Sequence, residues 1–182
     1  MYKLFLLLLL LLNFSCKADF IKLDVGNFAG HNISKIHPSG IEGDFVQYKI
    51  NIGYRSNLFD SIYLDTFIGP TVIETTNPEN NILVGVNLSP RILYQSESYL
   101  HPYLMIELGV LYFIESPQYQ ATDWGFLLGF GPGIKIDLEK NIGLIIEYKI
   151  LHESNGSKIF GTKEPNPGIN SDMINIGLEY KF

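Results

Sequence analysis

The chain has 182 residues, enough for one domain with a sizeable core. Acidic residues outnumber basic ones by 19 to 13, a formal net charge of −6, which argues against a nucleic-acid partner. Cys16 is the only cysteine, so an internal disulfide and a cysteine-based metal centre are both excluded.

The chain opens on Lys3 and an unbroken apolar run from Leu4 to Leu12. That run is too short for a spanning helix but fits the core of a secretory signal. Cleavage after Ala18, with Cys16 and Ala18 as the small residues before the cut, makes residues 1–18 a signal peptide and 19–182 a single mature domain. Lipidation of Cys16 is the other exit, but Asn13-Phe14-Ser15 suits that signal poorly. Removing Lys3 and Lys17 leaves 11 basic residues against 19 acidic ones, a net charge of −8.

Eight segments of period two follow. In the first, Ile21, Leu23 and Val25 alternate with Lys22, Asp24 and Gly26. The second sets Val46, Tyr48, Ile50, Ile52 and Tyr54 against Gln47, Lys49, Asn51, Gly53 and Arg55. The third sets Ile62, Leu64, Ile68 and Val72 against Tyr63, Asp65, Phe67 and Gly69. The fourth sets Ile82, Val84, Val86, Leu88, Ile92 and Tyr94 against Gly85, Asn87, Ser89 and Arg91. The fifth sets Leu104, Ile106, Leu108, Val110 and Tyr112 against Met105, Glu107 and Gly109. In the sixth, Trp124, Phe126, Leu128, Phe130, Ile134 and Ile136 oppose four glycines, Leu127 and Lys135. In the seventh, Ile142, Leu144, Ile146, Tyr148 and Ile150 oppose Gly143, Ile145, Glu147, Lys149 and Leu151. The eighth sets Ile174, Ile176, Leu178, Tyr180 and Phe182 against Asn175, Gly177, Glu179 and Lys181.

In the second to eighth segments the even-numbered face is apolar and the odd-numbered face mixes charges with glycine; in the first the odd-numbered face is the apolar one. A soluble sandwich would show the same alternation, so strand length decides. These segments run to about ten residues, the length a tilted strand needs to cross a bilayer, where soluble strands average about five or six. Connections alternate too. Short ones (SNLFD, SESY, LEKN) follow the second, fourth and sixth segments. Longer ones (NFAGHNISKIHPSGIE, TTNPENN, ESPQYQATD, NGSKIFGTKEPNPGIN) follow the first, third, fifth and seventh. Short periplasmic turns and long extracellular loops are the outer-membrane pattern. Tyr54, Tyr94, Tyr180 and Phe182 fall at the lower end of the outward face, where an interfacial aromatic girdle belongs. The predicted fold is all-β: an eight-stranded antiparallel up-and-down transmembrane β-barrel of the bacterial outer membrane.

The seventh segment ends in LHESNGS. His152 and Ser154 are even-numbered, so both project outward beside the outer leaflet. Residues two apart on a strand have Cα atoms about 6.5 Å apart, a gap that an imidazole and a hydroxyl can bridge. Nucleophilic catalysis by serine needs that contact, because the imidazole takes the hydroxyl proton during attack. H-x-S alone is a weak motif, and its bland reading is a pair of rim residues.

HESNG followed by PNPGINS resembles the C-terminal signature of the lipid A 3-O-deacylase family, the PagL-type acyloxyacyl hydrolases. His152, Ser154, Asn155 and Gly156 match its first part; Pro165, Asn166, Gly168 and Ile169 match its second. The resemblance implies an eight-stranded outer-membrane barrel that hydrolyses the 3-O-linked acyl ester of lipid A, with lipopolysaccharide as substrate and no cofactor or metal. It implies Ser154 as nucleophile and His152 as general base. Asn166 and a backbone N–H near Gly156 would form the oxyanion site. Two departures stand out. SKIFGTKE is about four residues longer than usual, and Asn170 occupies the place of a family glutamate after the Gly-Ile step.

Opposed residue numbers in an antiparallel pair sum to a constant. Setting Phe182 opposite Ile142 places Asp172 opposite His152 and Asn170 opposite Ser154. Both Asp172, as a carboxylate, and Asn170, through its amide oxygen, are then candidates to orient His152. Other features read blandly. His31, His37 and His101 form no ligand cluster, Glu153 points inward, and Lys158 and Lys163 are solvated loop lysines. GFGPG (129–133) lies in a strand with no following helix, so its glycines relieve crowding and bind no phosphate. The competing functional reading is a non-enzymatic small barrel, an adhesin, anchor or structural protein.

Overall fold

The computed structural model describes residues 19–27, 41–42, 44–77, 80–115, 123–154 and 168–182. The expected signal peptide, residues 1–18, lies outside them. The strands are β1 (Phe20–Asn27), β2 (Ile41–Glu42), β3 (Asp44–Phe59), β4 (Ile62–Asn77), β5 (Asn81–Tyr94), β6 (Leu100–Phe113), β7 (Trp124–Asp137), β8 (Ile142–Ser154) and β9 (Ile169–Lys181). Eight of these pair antiparallel with their neighbours, and β1 closes the ring by pairing with both β3 and β9. Only the two-residue β2 falls outside the eight-strand pattern. It lies parallel to the start of β9, with Ile41 beside Ile169 and Glu42 beside Asn170.

The third predicted connection, TTNPENN, is shorter than expected. β4 continues to Asn77 and β5 begins at Asn81, with Thr75 opposite Asn81. The ladder therefore consumes most of the residues that composition assigned to a loop.

Register fixes the barrel's shape. Starting at His152, successive cross-strand partners are Leu128, Leu108, Leu88, Ile68, Ile52, Ile21, Tyr180 and Ile142. The path returns to β8 lower by 152 minus 142, a shear of ten residues. Closure with such a stagger requires tilted strands, typically by about 35–45°. A cross-strand row therefore slants, and from His152 through β7 toward β4 it descends toward the periplasmic end.

The outward face is apolar and open: Leu104 is 65 % exposed and Ile106 49 %. At the periplasmic end Tyr54, Tyr94, Tyr180 and Phe182 are all exposed, with Tyr180 and Phe182 packed edge to face. The inward face fills the lumen in layers. At the extracellular end Ile73, Leu83, Leu111, Phe113, Leu127, Leu151, Ile169 and Met173 form an apolar plug. Below it Glu107 Oε2 accepts from Lys149 Nζ at 2.5 Å and Lys49 Nζ at 3.1 Å. Glu147 accepts from Lys22 Nζ and, at 2.8 Å, from Asn175 Nδ2. Lower still, Arg91 bridges Asp65 and Glu179. Buried charges are tolerated only when paired. Apart from His101, the ion-paired side chains among the described residues are six cations and six carboxylates, and Glu153 is a further buried, inward carboxylate. Among the described residues the lumen is filled, apolar at the extracellular end and ion-paired below.

Candidate active site

The seventh predicted strand is β8 and the eighth is β9. Along β8, Glu147, Lys149, Leu151 and Glu153 are buried in the lumen, and the even residues face out. His152 and Ser154 therefore share the outer wall at its extracellular end, as parity predicts. Both are half-buried rather than fully exposed.

Opposed residues of β8 and β9 sum to 322, since Ile142 faces Tyr180. The expected register, anchored on Phe182, was two residues off. Phe182 lies beyond the end of β9, where its N–H instead donates to the Asp19 carbonyl at 3.0 Å. The shift separates the two candidates in space. His152 faces Asn170, and Nδ1 lies 2.9 Å from Asn170 Oδ1. Asp172 faces Ile150 and hydrogen-bonds the Tyr148 side chain, one pair nearer the membrane centre. The structure therefore corrects the alignment of Asp172 with His152, and of Asn170 with Ser154.

An amide oxygen only accepts, so Nδ1 carries the proton. In the neutral ring this leaves Nε2, on the side away from the Asn170 amide, as the acceptor, the tautomer a general base needs. Gly168 completes the neighbourhood. Its φ is +62°, a conformation glycine adopts without strain. A Cβ there would lie 2.6 Å from His152 Cε1 and 3.0 Å from Nε2. The glycine thus lets the chain entering β9 pass against the reactive edge of the ring. One further step of the 322 register brings Gly168 level with Ser154.

Below the pair runs a groove of about 550 Å³ on the outer wall, lined by His152, Ser154 and side chains of β4 to β7. Ile68, Leu88, Leu108 and Leu128 continue the cross-strand row of His152, and Val86, Val110 and Phe126 that of Ser154. No single strand carries this feature, so reading strands one at a time missed it. Its signal was the run of outward apolar positions brought level by register.

The remaining sequence candidates separate. Asn155, Gly156, Asn166, His31, His37, Lys158 and Lys163 lie outside the described residues. Glu153 is inward and buried, beside Gly125. His101 is buried at the periplasmic end, with Nε2 2.8 Å from Asp137 Oδ2. Gly129 and Gly133 make room for the side chains of Leu151 and Tyr103, which accounts for the glycine-rich run in β7.

A family model described as "Lipid A 3-O-deacylase (PagL)" matches residues 62–179. Among solved structures, the chain is similar to Neisserial surface protein A at 16 % identity and TM-score 0.62, covering 90 % of this chain and 96 % of that one. It is similar to the outer membrane enzyme PagL at 12 % identity and TM-score 0.60, covering 90 % and 99 %. Similarity to outer membrane protein H from P. aeruginosa is 16 % identity at TM-score 0.55, covering 91 % and 100 %. These likenesses establish the shared barrel. By sequence, no curated protein matches the chain.

Proposed function

This chain belongs to the lipid A 3-O-deacylase (PagL) family, and from that premise we propose that it is an outer-membrane esterase releasing the 3-O-linked acyl chain of lipid A. Residues 1–18 serve as its export signal. Ser154 is the nucleophile, His152 the base, and Asn170 the group that orients the imidazole. The observation that carries this reading is the His152–Asn170 hydrogen bond of 2.9 Å on the lipid-facing wall, with Ser154 two residues on at the mouth of an apolar groove.

On this reading the reaction runs as follows. The acyl chain lies in the groove with its ester at His152 and Ser154. His152 Nε2 takes the Ser154 proton as Oγ attacks the carbonyl carbon. Asn166 and the backbone near Gly156 supply the oxyanion donors that the family motif implies, each worth about 3 kcal/mol of transition-state stabilisation. His152 then protonates the departing lipid A hydroxyl. Water from the extracellular boundary attacks the acyl-enzyme with His152 again as base, and the fatty acid leaves. An outward site suits a substrate that is itself part of the membrane and cannot enter a filled lumen.

Lipid A from cells making the wild type, Ser154→Ala or His152→Ala tests this by mass spectrometry. The wild type removes one 3-O-acyl chain and both variants leave it in place. An unchanged lipid A with the wild type would favour the non-enzymatic barrel, which gives no reason for a polar pair at the head of this groove.

A further inference from the structure

Asn170 stands between two neighbouring strands. β8 sets His152 opposite it, and β2 runs parallel on its other side with Glu42 in register. β1 pairs with β9 only as far up as Ile174, opposite Asn27; above that point β2 takes its place among the described residues. Residues in register on adjacent strands lie on one face of a sheet, with the strands about 4.8 Å apart. His152, Asn170 and Glu42 therefore occupy one cross-strand row at the extracellular end of the outer wall.

Asn170 is 1 % exposed, although Ile174 and Ile176, outward on the same strand, are 59 % and 55 % exposed. A buried amide has to place both of its ends. Oδ1 accepts from His152, which leaves the N–H donors of Nδ2 to be placed elsewhere. An amide is also reversible. Turned over, it would offer Nδ2 to the ring, Nδ1 would become the acceptor, and the ring proton would sit on Nε2. An imidazole in that tautomer cannot take the Ser154 proton.

Resting on the proposed esterase reading, we propose that Glu42 is a positioning residue for the reaction, set by the register of β2 beside Asn170 to fix which end of the amide meets His152. A carboxylate only accepts. Beside an amide it selects the N–H end and repels the oxygen, which turns to the opposite neighbour. Here that neighbour is His152. The charge sets the amide, and the amide sets the tautomer. The other ionisable groups on this part of the face are Tyr148 and Asp172, which are bonded to each other. Asp172 lies along β9 from Asn170, opposite Ile150, and not across a strand from it.

The test reads the ring directly. Purified protein in detergent micelles carries histidine labelled with heavy nitrogen in the ring, so the magnetic resonance spectrum shows which nitrogen holds the proton. The His152 signals are those missing from His152→Ala. In the wild type the proton sits on Nδ1. Glu42→Ala moves a share of it to Nε2 and lowers kcat for acyl release about tenfold, the low end for losing a hydrogen bond to a charged group, with KM unchanged. Glu42→Gln, whose amide can present either end, has both effects to a smaller extent and keeps the test decisive if heat-modifiable gel mobility shows that the alanine variant fails to fold. Asn170→Glu leaves no amide to orient, so adding Glu42→Ala to it brings no further loss. A ring still protonated only on Nδ1 in the folded Glu42 variants, or an equal loss in the Asn170→Glu background, overturns the positioning role while wild-type release still stands. No release by the wild type overturns the esterase reading itself, and the ring spectra then still decide whether Glu42 sets the tautomer of His152.

Discussion

His152 Nδ1 lies 2.9 Å from Asn170 Oδ1, across the paired strands β8 and β9. A neutral amide occupies the position where the family's familiar form has a glutamate. The contact holds the imidazole's tautomer, which needs an acceptor and not a charge. Asn170→Ala should lower the rate of acyl release on the order of 10²-fold, while Asn170→Glu should retain most of it. Asp172→Asn, which keeps a hydrogen-bonding group beside Tyr148, should change the rate little. Initial rates in vesicles check all three; equal losses in Asn170→Ala and Asp172→Asn would return Asp172 to the orienting role.

Gly168 should tolerate no side chain. Its positive φ costs a non-glycine residue about 1–2 kcal/mol, and a Cβ would press on His152 Cε1. Gly168→Ala should leave the barrel folded and lower kcat/KM about 10²-fold through the displaced ring. Heat-modifiable mobility and release rate, measured on one preparation, separate the two effects.

The lumen should govern stability without governing chemistry. Glu107 accepts from two buried lysines, Lys49 and Lys149. Glu107→Leu removes the nearer carboxylate of each lysine, leaving Lys49 with Asp24 and Lys149 with Glu147 at 3.8 Å each, and should cost about 3–5 kcal/mol, read as a lower urea midpoint in lipid vesicles. The rate of acyl release per folded protein should stay that of the wild type.

The apolar plug backs the site from inside. Leu151 is 1 % exposed and lies between His152 and Ile150 in sequence, filling the space beside Gly129. Leu151→Ala should destabilise the barrel by about 2–5 kcal/mol. Because it also loosens the strand that carries His152, release should slow at temperatures well below unfolding. A rate that follows only the folded fraction would show that the plug does not position the site.

Much of this was legible along single strands. Parity follows from the period of two, so Ile150, His152 and Ser154 face out, and Leu151 and Glu153 face in, whatever the register. Register was harder, because the last outward aromatic is a natural anchor yet Phe182 lies past the ladder and Tyr180 takes its place opposite Ile142. That slip of two residues exchanged Asp172 for Asn170 as the partner of His152. The groove was not legible at all, since Val86, Val110 and Phe126 become neighbours only after two registers are fixed. β2 was equally hidden: two residues are too few to show a period, and their pairing with Ile169 and Asn170 is long-range.

The central claim is that Ser154 is activated by His152 on the lipid-facing wall. The most direct measurement is labelling with a long-chain alkyl phosphonate in vesicles, followed by peptide mass spectrometry. The account predicts one adduct, on Ser154, absent in Ser154→Ala and slowed on the order of 10²-fold or more in His152→Ala. An adduct on another residue, or labelling of Ser154 at an undiminished rate without His152, would contradict it.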